Sequence, residues 1–128
     1  MTLMAEKIPA HLEPYVLALG EDKAIEFFLR FGGAQIYLSE NPQASSEAAQ
    51  VIGIEGVRAL ARVLRSGHIL RVPLAKEWTA NRLKAKGWKV QAIARELRAT
   101  DVTVRKWLKA REDRQLTLFD LMKAADQG

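Results

Sequence analysis

Two stretches in the first half of the chain share one order of apolar and polar positions. "LGEDKAIEFFLRFGGAQIYL" begins at Leu19, and "IGIEGVRALARVLRSGHILRV" begins at Ile52, 33 residues later. Each reads as an apolar residue, a glycine, a helical pattern, a glycine-containing turn and a short β-rich run. In the first copy Ala24, Ile25, Phe28, Leu29 and Phe31 recur at helical spacing before Gly32-Gly33, and Gln35 to Leu38 predicts a strand. In the second, Val57, Leu60, Ala61 and Leu64 form the stripe, Ser66-Gly67 the turn and Ile69 to Val72 the strand. Glycine at a helix end takes the left-handed conformation that stops the helix.

Around the two copies, "IPAHLEPYVLALG" predicts a short helix with Pro9 near its start. A polar loop is expected at Asn41-Pro42, followed by a short helix capped by Ser45 or Ser46. Strands of about four residues leave edges open to another chain. This half is therefore expected to dimerise, through Ile25, Phe28, Phe31, Ile36, Tyr37, Leu38, Leu60, Leu64, Ile69 and Leu70. The competing reading pairs the two strands within one monomeric chain.

Pro73 ends the second strand, and from Leu74 the pattern turns helical and basic in "LAKEWTANRLKAK". Trp78 and Leu83 are inward positions of that helix. Two more helices follow in "GWKVQAIARELRATDVTVRKWLKA". Val90, Ile93, Ala94 and Leu97 share one face of the first, and Val104, Trp107 and Leu108 one face of the second. Residues 98–100, "RAT", separate them, with Thr100 suited to cap the second helix. Small Ala94 permits a close crossing, and buried Val104 anchors the second helix, as a helix-turn-helix requires. Arg98 stands where such turns often carry glycine, so it must accept a positive φ or use another turn. The predicted fold is mainly α with short β-strands: an α+β dimerisation domain over 1–72, a three-helix unit with a helix-turn-helix over 73–112, and a tail over 113–128.

Charge sharpens this division. Residues 1–66 hold 6 Lys/Arg against 8 Asp/Glu, a net of −2, whereas residues 67–128 hold 14 against 7, a net of +7. Within 71–111 the counts are 12 and 3. Such clustering marks a polyanion-binding surface or a plain solvated basic face.

If Val104, Trp107 and Leu108 point inward, then Asp101, Val102, Arg105, Lys106 and Lys109 lie outward or at the margin. A recognition helix offers these positions to the DNA major groove. Arg105 carries the two-pronged donor set that matches a guanine edge, which discriminates by about 1–3 kcal/mol. Val102 suits a thymine methyl, and Asp101 suits a cytosine amino group. Thr103 is placed for a phosphate or for the helix's own cap. Lys84, Lys86, Lys89, Arg95 and Arg98 are expected on phosphates, where they position without specifying.

Taken together, "IPAHLEPYVLALGEDKAIEFFLRFGGAQIYL", "IGIEGVRALARVLRSGHILRVP" and "GWKVQAIARELRATDVTVRKWL" resemble the Mor transcription activators, the middle-operon regulators of Mu-like phages. The most particular feature is "LGEDKAIEFFLRFGGAQIYL". The resemblance implies a homodimer built from the N-terminal half, a C-terminal helix-turn-helix, and activation of phage genes by promoter binding and contact with RNA polymerase. Two subunits joined in this way are expected to place their 101–109 helices in successive major grooves of an inverted-repeat site in double-stranded DNA. The segment from Pro73 to Gly87 is shorter than that family's connector, "SGH" replaces a second Gly-Gly, and the turn lacks glycine.

The tail contains "QLTLF", which resembles the peptide by which bacterial proteins dock on the DNA polymerase sliding clamp. An extended tail would offer Gln115 to a polar site and Leu116, Leu118 and Phe119 to apolar pockets. The bland alternative is a final amphipathic segment packed on the protein's own core. Cysteine is absent, removing disulfides, thiolate chemistry and Cys-based zinc sites. His11 and His68 lack a matching ligand set, and Gly32-Gly33 precedes a strand instead of opening a phosphate-cradling helix. Glu21, Asp22 and Glu26 read as helix-start and surface charges. No enzyme, metal or cofactor is expected. With no basic leader before an apolar run and no membrane-length apolar stretch, a cytoplasmic protein is expected.

Overall fold

The computed structural model describes residues 8–64 and 69–127, with side chains through Lys123. The turn expected at Ser66-Gly67 and His68 lie outside the described residues. The architecture is mainly helical with one two-stranded antiparallel sheet. Residues 8–75 form one compact unit and residues from Lys76 another, so the division falls at 75/76.

In the first unit, α1 (Glu13–Leu19) and α2 (Glu21–Phe31) lead into β1 (Gln35–Tyr37). α3 (Glu47–Leu64) leads through the segment not described to β2 (Ile69–Arg71). The proline at the start of α1 is Pro14 rather than Pro9, which sits ahead of the helix and accepts from the Leu12 and Glu13 amides. Ser46 begins α3, its hydroxyl oxygen accepting from the Ala49 amide at 3.1 Å.

The repeat read from the sequence is repeated in the backbone. Gly20 separates α1 from α2 with φ 80° and ψ 164°, and Gly53 kinks α3 with φ 79° and ψ 162°. That region of backbone space is open to glycine alone. Each copy is thus helix, glycine corner, helix, strand. Lys23 Nζ donates to the Ile52 carbonyl at 3.5 Å, tying α2 to the second corner. α1 and α2 both pack on α3, and Gly56 lets α1 come close: a Cβ there would meet Ile52 Cβ at 3.0 Å and Leu19 Cδ2 at 3.4 Å.

The core gathers Leu12, Tyr15, Ile25, Phe27, Phe28, Phe31, Leu38, Ile52, Val57, Leu60 and Val72. Tyr15 and Phe28 rings lie 5.2 Å apart, and Phe27 and Phe31 5.3 Å, in the tilted arrangements aromatic pairs prefer. Burial pushes the Tyr15 phenol above its ordinary pKa. Phe27, missing from the predicted stripe, is fully buried, while Leu29 is only half-buried.

The two strands pair with each other, Gln35 opposite Arg71, Ile36 opposite Leu70 and Tyr37 opposite Ile69. Arg71 Nη1 donates to the Gly33 carbonyl at 2.9 Å and closes the end of the ribbon. This corrects two parts of the dimer expectation. One edge of each strand is satisfied inside the chain. Ile25, Phe28, Phe31, Leu38 and Leu60 are core residues of their own unit, at most 5% exposed, and are not free for a partner. Ile36, Leu64 and Leu70 are half-buried, and Tyr37 and Ile69 are each 64% exposed.

The second unit contains α4 (Lys76–Ala85), α5 (Val90–Leu97) and α6 (Asp101–Gln127), each packed on the other two. Trp78, Ala80, Leu83, Ile93, Ala94, Leu97 and Val104 form its interior. The expected extended tail is corrected: α6 runs for 27 residues, about 40 Å at 1.5 Å per residue, and residues 113–127 belong to it. Nothing from Asp101 to Gln127 is glycine or proline, the residues that most disfavour a helix interior. Thr117, β-branched and a weak helix former, bonds its hydroxyl to the Asp113 carbonyl at 3.0 Å. Arg114 Nη1 reaches Glu77 Oε1 of α4 at 3.2 Å. Beyond it Leu116, Leu118, Phe119 and Leu121 are exposed, so they neither form an extended peptide nor pack on the core. No helix among the described residues is long and apolar enough to cross a membrane.

The two glycine corners make the first test. Gly20→Ala and Gly53→Ala should each lower the unfolding free energy by about 1–3 kcal/mol in urea titrations, and asparagine should not restore it, because this region is closed to any side chain. Leu118→Ala and Phe119→Ala should stay within roughly 0.5 kcal/mol of the parent.

Candidate nucleic-acid interface

The interface predicted from the sequence falls on α4, α5 and α6, and the ends of these helices decide which side chains face outward. At the end of α4 the Trp88 amide donates to the Leu83 carbonyl at 3.0 Å and the Gly87 amide to the Lys84 carbonyl at 2.9 Å. This is the paired closure of a Schellman motif, with Gly87 at φ 95°. Lys84 and Lys86, on the last turn and just past it, are exposed.

α5 ends in the same way with a different residue. The Ala99 amide donates to the Ala94 carbonyl at 2.9 Å and the Arg98 amide to the Arg95 carbonyl at 3.3 Å. Arg98 sits at φ 52° and ψ 46°, in the left-handed position glycine usually fills. The positive φ is accepted and the three-residue break is kept. Its side chain remains exposed, as do those of Lys89 and Arg95.

Thr100 starts α6. Its Oγ1 accepts from the Thr103 amide at 3.0 Å, and the Val104 amide donates to the Thr100 carbonyl at 3.0 Å. Of the two roles open to Thr103, the free chain shows the capping one: the Thr100 hydroxyl donates to the Thr103 hydroxyl at 2.9 Å. The cap sets where the helix begins, and Val104, fully buried, sets its rotation. Trp107 and Leu108 are half-buried on the same side. Val102 is then 65% exposed, and Arg105, Lys106 and Lys109 are exposed with it. An open cleft of about 520 Å³ lies where α5 meets α6, lined by Gln91, Ala94, Arg95, Ala99, Thr100 and Asp101.

The exposed face also carries an ion pair that apolar spacing alone does not reveal. Arg105 Nη1 donates to Asp101 Oδ2 at 2.5 Å, with the two side chains 58% and 47% exposed. The Arg105 guanidinium holds the Asp101 carboxyl below the ordinary carboxylate range. A depressed pKa means that the pair persists through neutral pH and is lost only as pH falls through the lowered value. The signal that would have found it is the i, i+4 spacing of opposite charges on a helix.

Elsewhere, no group of three or more His, Cys, Asp or Glu side chains among the described residues stands where it could hold a metal ion. A second cleft of about 520 Å³, lined by Phe31, Ile36, Tyr37, Ser39, Pro42 and Glu47 among others, lies in the first unit.

Arg98→Gly should raise the unfolding free energy by about 0.5–1 kcal/mol, because relief of the left-handed strain exceeds glycine's extra chain entropy. Val104→Ala should lower it by about 2 kcal/mol, since the lost methyl groups leave a gap beneath α5. Both are read from thermal unfolding of the purified chain. Comparison of the chain with protein-family models, curated proteins and solved structures gives no match.

Proposed function

We propose that the chain is a sequence-specific DNA-binding transcription regulator, a dimeric activator of phage or prophage genes working through RNA polymerase in the cytoplasm. α5, the 98–100 turn and α6 are its helix-turn-helix, with α6 the recognition helix. The observation that carries this reading is the phase of α6: Val104 is buried while Val102, Arg105, Lys106 and Lys109 share the exposed side. A helix capped at its start and basic along its outer face has the form that enters a major groove near its N-terminus. The basic excess of residues 71–111 supplies the sequence-independent attraction to phosphate. The resemblance of the three quoted stretches to the Mor activators suggests the promoter role, and two recognition helices in one dimer call for an inverted-repeat site. For the homodimer surface the remaining apolar candidates are Ile36, Tyr37, Leu64, Ile69 and Leu70.

The second reading, an adaptor docking on the sliding clamp, keeps one observation in its favour. Leu116, Leu118 and Phe119 are exposed. They stand on a helix, so docking as an extended peptide requires the last turns of α6 to unwind.

Selection of bound sequences from random duplex DNA separates the two, since a dimeric regulator enriches an inverted repeat and an adaptor enriches nothing. On the selected site Arg105→Ala should relax preference at one base pair of each half-site, at a cost of about 1–3 kcal/mol. Lys89→Ala should weaken every sequence alike and reduce the salt slope by about one. Equal losses from both substitutions on all sequences would refute this division of labour.

A further inference from the structure

Resting on the reading of α6 as a recognition helix, we propose that Asp101 is a positioning residue. It holds the Arg105 guanidinium through Nη1 so that the remaining donors meet one base pair, and it does not itself read a base.

The geometry gives the reason. Asp101 and Arg105 are one helical turn apart at the start of α6, and their side chains meet at 2.5 Å. A carboxylate already accepting from a guanidinium is poorly placed to accept from a cytosine amino group as well. Among the described residues Arg105 has no second side-chain partner, so Nη2 and the other Nη1 proton remain free. Two parallel donations are what the O6 and N7 acceptors of guanine take.

The pair contributes little to folding, because both side chains are half in solvent and exposed ion pairs are screened. Its consequence is orientation. A long arginine side chain loses freedom when it binds, and one already held in place loses less. The carboxylate also repels the phosphate backbone, so the same residue lowers affinity for random duplex. Asp101 therefore trades general affinity for selectivity, and that combination identifies the role.

The test compares the full-length chain with Asp101→Ala, Arg105→Ala and the double variant. Binding is measured on the selected duplex, on the same duplex changed at the base pair that Arg105→Ala relaxes, and on random duplex. Asp101→Ala should cut the preference at that base pair by about 2- to 12-fold, the range that ordering one flexible side chain spans. Affinity for random duplex should rise or hold, and the double variant should show no further loss of preference beyond Arg105→Ala alone. A merely structural role would lower binding to all three duplexes together. Asp101→Asn, equal in size and without the charge, repeats the comparison if the alanine variant fails to fold. Full preference retained in Asp101→Ala would overturn the proposal, and so would a loss at a base pair that Arg105→Ala leaves untouched. If Arg105→Ala changes no preference at all, the recognition-helix reading itself fails and this assignment goes with it.

Discussion

The burial of Val104 is the constraint on which the outward face of α6 depends. A helix has one rotational freedom once its axis is laid down, and a single fully buried side chain near the start removes it. With Val104 turned inward, residues one position to either side, Thr103 and Arg105, turn toward the flanks of the helix. The Thr100 cap fixes where the helix begins along its axis. Start and phase together determine that Val102, Arg105, Lys106 and Lys109 are presented as one charged and apolar patch.

The first unit relies on a different constraint, a backbone corner only glycine can make, used twice. Gly20 and Gly53 take nearly the same dihedral angles, and each turns one helix into the next without a loop. Because no residues are spent on the corner, α1 folds back on α2 closely enough for the Tyr15 ring to meet those of Phe27 and Phe28, and Phe27 packs on Phe31. The β-ribbon then joins the two copies at their far ends. A unit that small has no spare core to offer a partner, which is why half of the residues assigned to a dimer surface turned out to be interior.

The turn between α5 and α6 shows how one local cost is carried by its surroundings. Arg98 occupies a left-handed position while its amide and that of Ala99 close the end of α5. Two hydrogen bonds and the packing of Leu97 below outweigh a strain of about 1–2 kcal/mol. At the equivalent end of α4, Gly87 does the same without strain. Arginine at this place keeps a cation beside the start of α6 that glycine would not provide.

Local pattern was enough to place the helices as far as residue 112, the two short strands, the repeat, the cap at Thr100 and the inward side of α5 and α6. These depend on neighbours within a few residues, where periodicity and capping chemistry act. The outward placement of Val102, Arg105 and Lys106 was legible for the same reason. What local pattern missed was settled by contacts between distant segments. Pairing of residues 35–37 with 69–71 joins segments more than thirty residues apart, so local pattern favoured an edge open to another chain where the folded chain pairs the two strands with each other. Phe27 is buried because α1 covers a second side of α2, which one stripe of spacing does not reveal. The continuation of α6 through 113–127 agrees with a sequence that carries no glycine or proline there, but apolar spacing fades beyond Leu108, and it is the tie from Arg114 to Glu77 that holds α6 to α4 past its last buried side chain. Local pattern shows that a helix is permitted, and a contact from a distant segment decides how far it is supported.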